Sequence, residues 1–206
     1  MADNLMKWIA ALLNVLWCLI TLDLASRAAK LHRAPAIGIL LTAFSSVFRS
    51  VTSLVPLPGS SQLQDLQDDL FWTSCLFAPA LVSFGFLWLS EDRTTGNTLL
   101  CGSLLAASLS DWFSEYSRVL IGRFMVISSL SCSLTVCAFT GNVKGLFGNL
   151  VLNLVYLSFP TVREQSLIPW VTGEFAETVL NMWMFFGIVI TQQALHGFKR
   201  EGDDWD

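Results

Sequence analysis

The stretch that decides the fold is residues 70–89, LFWTSCLFAPALVSFGFLWL, which contains no charged side chain. An α-helix rises about 1.5 Å per residue, so a helix of this length matches the ~30 Å hydrocarbon core of a bilayer. Membrane β-strands are shorter and alternate in polarity, whereas this stretch is apolar on all sides. The stretch therefore predicts a membrane-spanning α-helix.

Further apolar stretches lie on both sides of it, and together they predict an all-α, polytopic transmembrane helix bundle of seven spans. The others are Leu5–Leu24, Pro35–Leu54, Thr98–Phe113, Val119–Thr140, Gly145–Phe159 and Phe175–Leu195. The fourth and sixth stretches are short for a full span, so six spans is the alternative. Seven spans use about 140 residues. We therefore expect residues 1–206 to form a single transmembrane helical domain without an extramembrane domain.

Composition supports a membrane environment and excludes several classes of protein. Hydrophobic residues make up 53% of the chain and charged residues 14%, against about 25% charged in soluble domains. The chain is too apolar and aromatic for a disordered protein. Its net charge is −4 and it has no basic stripe, so we expect no nucleic-acid partner. The expected partners are the lipid bilayer and other membrane proteins, including a second copy of the chain.

Lysine and arginine placement predicts the orientation. The first, third and fifth connectors and the C-terminus carry seven of these residues, and the opposite side carries four. This bias predicts an integral membrane protein with a cytoplasmic C-terminus. An alternative for the first segment is a cleaved secretory signal, since Lys7 precedes the apolar run Trp8–Ile20. Asp23 and Arg27 favour a helix end instead, because their spacing suits an i,i+4 ion pair.

The segments between the apolar stretches are predicted to be turns and connectors. Two are long, Ser60–Asp69 and Thr161–Thr172, and two are tight turns, Ser90–Asn97 and Gly141–Gly145. The sequence shows no internal repeat.

Ionisable residues within the apolar segments are the first candidates for function, because charge is costly in a bilayer. Arg49 lies about 9 Å below the predicted end of its helix, so it either snorkels or pairs structurally, or it faces a substrate. Asp111 and Glu115 are predicted to share one face of the fourth helix, as a cation or proton site or as a solvated helix end paired with Arg118. An Arg49–Asp111 pair is the preferred interpretation.

A second group of candidates lies on the last two helices. Glu177 and Asn181 are four residues apart near the start of the seventh segment, and Asn149 and Asn153 are one turn apart on the sixth. A carboxylate in a first helical turn complements the helix dipole. Buried amides commonly join helices by hydrogen bonds, so the asparagines are expected to hold the bundle together.

Motifs for catalysis, cofactors or metals are not found in the sequence. The two histidines, His32 and His196, do not stand at metal-ligand spacing with carboxylates, and the five cysteines lie in apolar segments without a CxxC pair. The sequence therefore predicts no catalytic residue, no cofactor, no metal site and no disulfide, and a protein that is not an enzyme.

One part of the chain resembles a known family. The stretches Phe86–Leu100, Ala138–Asn142 and Leu146–Gly148 are similar to the transmembrane protein 276 family, in which an aromatic helix end precedes an Asp-Arg pair and an aromatic-Thr-x-Asn turn follows a later helix. The resemblance covers a third to a half of the chain. It implies a multi-pass membrane protein and brings no activity. The polar residues Asp111, Trp112 and Glu115 do not look shared with the family.

Two classes of function follow from these observations. The first is a non-enzymatic structural or accessory protein that assembles with other membrane proteins, since the loops are short and small residues line several helices. The second is a small-solute or ion transporter or channel using the intramembrane charges, with short helices around a site. A lipid-modifying enzyme using Asp111 and Glu115 as acid and base is the weaker alternative.

Overall fold

The computed structural model describes residues 2–54, 60–164 and 173–203. Near the ends of these ranges it describes mainly the backbone. Within these ranges all regular structure is helical, which confirms the all-α prediction. The helices are α1 (Ala2–Ala29), α2 (Arg33–Leu54), α3 (Ser60–Leu89), α4 (Arg93–Ser108), α5 (Glu115–Phe139), α6 (Val143–Glu164) and α7 (Gly173–Asp203). A 3-10 turn, Ser110–Trp112, precedes α5.

Helix α3 lies at the centre of the bundle. It packs against α2, α4 and α5 and also reaches α6 and α7, while α1 closes the arrangement between α2 and α7. Most side chains from Ser74 to Leu87 are buried, and Phe86 is fully enclosed. Helix α4 packs mainly on α3 and only slightly on α5. The uncharged stretch that decides the fold thus lies at the centre of the core, to which α1, α2, α5, α6 and α7 also contribute.

Many large apolar side chains face outward, as expected of helices surrounded by lipid. Examples on four helices are Leu12, Leu19, Phe124, Ile127, Phe147, Leu154, Trp183 and Phe186. Among the described residues, two helices are long and apolar enough to cross a membrane, Asp65–Leu89 and Glu115–Phe139. About two thirds of the apolar window is buried in the first of these and one third in the second.

Three helix-to-helix connectors share one construction. In each, a short turn leads to a residue whose side chain accepts a hydrogen bond from a backbone N–H of the next helix. These residues are His32 before α2, Asp92 before α4 and Asn142 before α6. The last two follow a residue with positive φ, Glu91 at 65° and Gly141 at 68°. The α1–α2, α3–α4 and α5–α6 pairs are therefore three similar hairpins, a structural repeat that the sequence did not reveal.

Two predicted segments need correction, and a third, the connector Thr161–Thr172, has its first four residues in α6 and the others outside the described residues. Ser60–Asp69, predicted as a polar connector, is the beginning of α3, because Leu63, Leu66 and Leu70 recur at helical spacing among good helix formers. The fourth helix ends at Ser108 rather than Phe113. Helix α5 starts soon after, since Ser114 caps it by accepting a hydrogen bond from the Ser117 N–H at 3.3 Å.

Candidate functional site: an uncharged polar cavity

A polar cavity lies inside the bundle between α1, α2, α3, α6 and α7. Two adjoining cavities share the side chains Thr42, Ser46, Asn181 and Met184. Their cavity volumes are about 10 and 20 Å³, which is room for about one water molecule each. The described residues that line them carry hydroxyl, amide, indole, thiol or apolar side chains and no ionised group.

Hydrogen bonds join three helices around this cavity. The Thr42 hydroxyl donates to the Gly38 carbonyl oxygen at 3.0 Å, so the Tyr156 hydroxyl donates to Thr42 in their short contact. The Ser46 hydroxyl donates to Asn181 Oδ1 at 3.0 Å. Helix α2 is thereby linked to α6 through Tyr156 and to α7 through Asn181, so Asn181 joins helices as the sequence predicted.

Trp17 forms the wall on the α1 side. Its ring packs on Phe185 of α7 with 4.3 Å between the ring centroids. Its Nε1–H is buried and has no hydrogen-bond acceptor among the described residues. A buried donor without a protein acceptor costs about 1–3 kcal/mol unless another group accepts the bond. The indole nitrogen therefore needs an acceptor at this wall.

A polar stripe on α6 leads away from the cavity toward the middle of the bundle. It consists of Asn149, Asn153 and Tyr156, which are at most 3% exposed. Asn149 Nδ2 donates to the Gly145 carbonyl oxygen at 2.9 Å, and Asn153 Nδ2 donates to the Asn149 carbonyl oxygen at 2.8 Å. Both bonds lie within α6 rather than between helices, so the expectation that these two amides join helices is not met by their amino groups. Both Oδ1 atoms are buried and unpaired among the described residues.

The helix register places serines of α5 at the level of these amides. A Cβ built on Gly145 would lie 2.6 Å from Cys137 Sγ, so these positions touch across the antiparallel α5–α6 pair. One turn before Cys137 on α5 and one turn after Gly145 on α6, Ser133 is level with Asn149. One turn further, Ser129 is level with Asn153. Ser129 Oγ is also buried and has no hydrogen-bond partner in the described part of the chain, while the Ser129 carbonyl oxygen accepts a 2.8 Å hydrogen bond from Ser83.

Asp111 and Glu115 lie at the surface, away from this cavity. Asp111 belongs to the 3-10 turn and Glu115 begins α5, so the prediction that they share a face of the fourth helix is wrong. The polar run around them breaks α4 and caps the next helix instead. The Asp111 side chain is 91% exposed and lies 3.9 Å from Arg118.

Arg118 is the centre of a surface cluster that ties α3 to α5. Its Nη1 lies 3.1 Å from Asp69, its Nε donates to the Ser110 carbonyl oxygen at 3.2 Å, and its own carbonyl accepts a 3.0 Å bond from Trp72 Nε1. Exposed ion pairs contribute about 0–1 kcal/mol. The carboxylate of Asp111 lies in ion-pair range of Arg118, as the solvated-end alternative expected, and the Arg49–Asp111 pair stays a prediction, because the Arg49 side chain lies outside the described residues.

The remaining two charged candidates lie one helical turn beyond the Ser46–Asn181 bond. Arg49 follows Ser46 by three residues on α2, and Glu177 precedes Asn181 by four on α7. Their side chains lie outside the described residues. Pro35 contacts Gly85 across the antiparallel α2–α3 pair, which places Arg49 level with Phe71 and within one turn of Asp68.

The cavity brings together residues that sequence reasoning did not select, namely Trp17, Thr42, Ser46 and Tyr156. Only Tyr156 carried a usable signal, because it is one of two tyrosines and lies three residues after Asn153, on the same helix face. Within the described part of the chain, no group of three or more His, Cys, Asp or Glu side chains could hold a metal ion.

Comparison with known proteins identifies relatives. The chain is 28% identical to human transmembrane protein 276 over 162 residues, which are 79% of this chain and 81% of the relative. It is 24% identical to the mouse protein over the same shares of the two chains, and 26% identical to the bovine protein over 71% of this chain and 72% of the relative. No family model and no solved structure matches. The suspected resemblance is thus confirmed: the chain is similar to transmembrane protein 276 of several mammals along 71–79% of its length.

Proposed function

We propose that the chain is an integral membrane protein in which all seven helices cross the bilayer. The relatives are named transmembrane proteins, and outward-facing apolar side chains support the same environment. The parallel arrangement of α3 and α5 favours seven spans over six. Ser83 bonds to Ser129, and Trp72 bonds to Arg118, with the same offset of 46 positions. Two parallel neighbours require the chain to return across the bilayer between them, and α4 is the helix that does so.

The orientation proposed is a cytoplasmic C-terminus. The three similar connectors lie at the end of the bundle that also holds the end of α7. This end carries the larger share of basic residues: Arg27, Lys30, Arg33, Arg93, Lys144, Lys199 and Arg200. Short connectors rich in Lys and Arg stay in the cytoplasm. The opposite end carries Lys7, Arg118, Arg123 and Arg163.

Within the membrane, the protein acts as a non-enzymatic assembly partner of other membrane proteins. The observation that carries this function is the outer face of α5, a helix long enough to span with only one third of its apolar window buried. Along this face lie Phe124, Ile127, Ser131 and Thr135, all exposed. Both hydroxyls already donate to carbonyl oxygens of α5, at 2.9 and 2.8 Å. A partner transmembrane helix can therefore pack on this face without leaving a polar group unpaired.

The test is purification from native membranes in a mild detergent, with the wild type compared with Ser131→Trp. The bulky side chain should abolish a stoichiometric partner, because it blocks close helix approach on α5. The matched control is Leu16→Trp, which adds the same ring to the lipid-facing side of α1, where Leu16 is 51% exposed. It should retain the partner. A wild-type protein that elutes alone and monomeric at native abundance would contradict the assembly function.

Transport of a small solute or ion is the second candidate, and the polar cavity is the observation that favours it. The cavity reaches Ser46 and Asn181, which lie one helical turn from Arg49 on α2 and from Glu177 on α7. Flux through proteoliposomes that Arg49→Ala reduces would support transport, whereas unchanged flux would remove this role for Arg49. The hypothesis of acid–base catalysis by Asp111 and Glu115 is no longer supported, since it assumed that these carboxyls share a helix face and they do not.

A further inference from the structure

We propose that the polar cavity and the α6 stripe together form a water-binding inlet that reaches from the end of the bundle holding Arg49 to its middle. The ligand is water. The inlet begins at the Ser46–Asn181 bond, passes Thr42 and Tyr156, and ends at Asn149. This inference concerns the interior of the bundle and is independent of the assembly function proposed for the outer face of α5.

The first argument is that buried polar atoms along this line need partners that the described residues do not supply. They are Trp17 Nε1 at the cavity, and Asn153 Oδ1 and Asn149 Oδ1 on the stripe. In folded proteins the large majority of buried side-chain polar atoms bond to protein or to ordered water. Reversing either asparagine amide would not help, because it would leave a buried amino group unpaired instead. Water satisfies both kinds of atom, since it accepts from the indole and donates to the amide oxygens.

The second argument is space. Each of the adjoining cavities has room for about one water molecule. Both are lined by hydroxyl and amide groups that offer the two to four partners a buried water needs. A lipid or a larger solute does not fit this volume.

The third argument is continuity. Tyr156 lines the cavity and lies one turn from Asn153, which lies one turn from Asn149. The distance along α6 from Tyr156 to Asn149 is about 10 Å at 1.5 Å per residue. Ser129 Oγ, unpaired at the level of Asn153, offers a further hydrogen-bonding group on α5.

The described residues that line the cavity carry no charge, which favours water over an ion as the ligand. The cavity residues and the stripe carry neutral side chains. An ion without an opposite charge beside it pays a large desolvation penalty in a bilayer interior. A neutral, dipolar ligand pays much less.

The test is solid-state NMR of the full-length protein, labelled with ¹⁵N at tryptophan and asparagine, in lipid bilayers. Magnetisation is transferred from water to the indole and side-chain amide protons. Trp17 and Asn153 should show water cross-peaks, assigned through Trp17→Phe and Asn153→Leu. The matched control is Trp183, which lies two residues from Phe185, the ring stacked on Trp17, but is 50% exposed on the lipid side of α7. It should show at least fivefold weaker transfer.

A second variant separates local hydration from an inlet. Asn181→Leu removes the amide at the mouth, and the Trp17 cross-peak should fall at least threefold, whereas Thr135→Val on the outer face of α5 should leave it unchanged. A missing cross-peak at Trp17 overturns the proposal, and so does transfer of equal strength at Trp183. A cross-peak at Trp17 without one at Asn153 refutes the extension to mid-bundle. Amide shifts that respond to sodium but not to choline would assign the site to a cation and overturn water as its ligand.

Discussion

Two glycines at the α6–α7 contact allow a direct test of the packing that holds the last two helices together. A Cβ on Gly148 would lie 2.7 Å from both the backbone N and the Oγ1 of Thr191. A Cβ on Gly187 would lie 2.9 Å from the backbone N of Leu152. The contact is reciprocal, because each helix supplies one glycine. Each helix also contacts the partner helix's glycine through a residue four positions after its own glycine. Neither clash is relieved by rotating a flexible side chain, since both involve backbone atoms.

Gly148→Ala and Gly187→Ala are therefore expected to push α6 and α7 apart. Ordinary Cβ contacts begin near 3.4 Å, so the helix axes must separate by several tenths of an ångström. Overpacking of this kind costs about 1–3 kcal/mol. For a chain of this size that corresponds to a decrease in the unfolding midpoint temperature of about 2–10 °C.

The assay is thermal unfolding in a single mild detergent, followed by circular dichroism. The control is Gly197→Ala on the same helix α7, where a Cβ meets nothing within 4 Å. This substitution should raise stability by about 0.5–1 kcal/mol, because alanine favours the helix over glycine. If Gly148→Ala and Gly187→Ala were as stable as Gly197→Ala, the close α6–α7 packing would be refuted.

Three further predictions concern single bonds and charges. Tyr156→Phe removes the hydrogen bond to Thr42 and should lower the free energy of unfolding by about 1 kcal/mol, measured by the same assay; an unchanged midpoint would contradict that bond. If Arg49 pairs with Asp68, Arg49→Asp should destabilise the protein and the double variant Arg49→Asp/Asp68→Arg should restore it, because the α2–α3 register places these positions within one turn; no restoration would contradict an ion pair between them. Burial lowers the pKa of His32, which lies in the α1–α2 connector, so its contribution to stability is complete above its ordinary pKa of 6.5 and is lost as the pH falls through the lowered value. The midpoint of the wild type should therefore fall more than that of His32→Asn between pH 7.5 and pH 5, whereas equal losses would exclude His32 as the cause.

The sequence predicted what depends on local spacing. The apolar stretches place all seven helices, and the i,i+4 spacing of Asp23 and Arg27 predicts the ion pair that the structure forms at 2.7 Å. Polarity alone gave a wrong prediction for Ser60–Asp69. This segment is helical because leucines recur at helical spacing between its polar residues. The prediction around Asp111 was wrong because the predicted fourth segment runs past the end of α4 at Ser108, and Ser114 then caps a new helix.

The candidate site depends on contacts between residues far apart in the chain. Thr42 and Tyr156 are 114 positions apart, and Ser46 and Asn181 are 135 apart. No spacing rule connects such positions before the helix neighbours and their register are known. The asparagines could be selected from the sequence because amides are unusual in apolar helices. Which groups their amides bond to is known only from the structure.

The measurement that tests the seven-span bundle most directly is the sidedness of the two ends of α4. A variant without native cysteines would carry a single cysteine at Glu91→Cys or at Asp111→Cys, both exposed positions. Sealed vesicles of known orientation would then be treated with a membrane-impermeant maleimide. Labelling of the two cysteines from opposite faces, with Glu91→Cys on the cytoplasmic side, is the result predicted. Labelling of both from the same face would show that α4 does not cross, and would contradict the seven-span bundle.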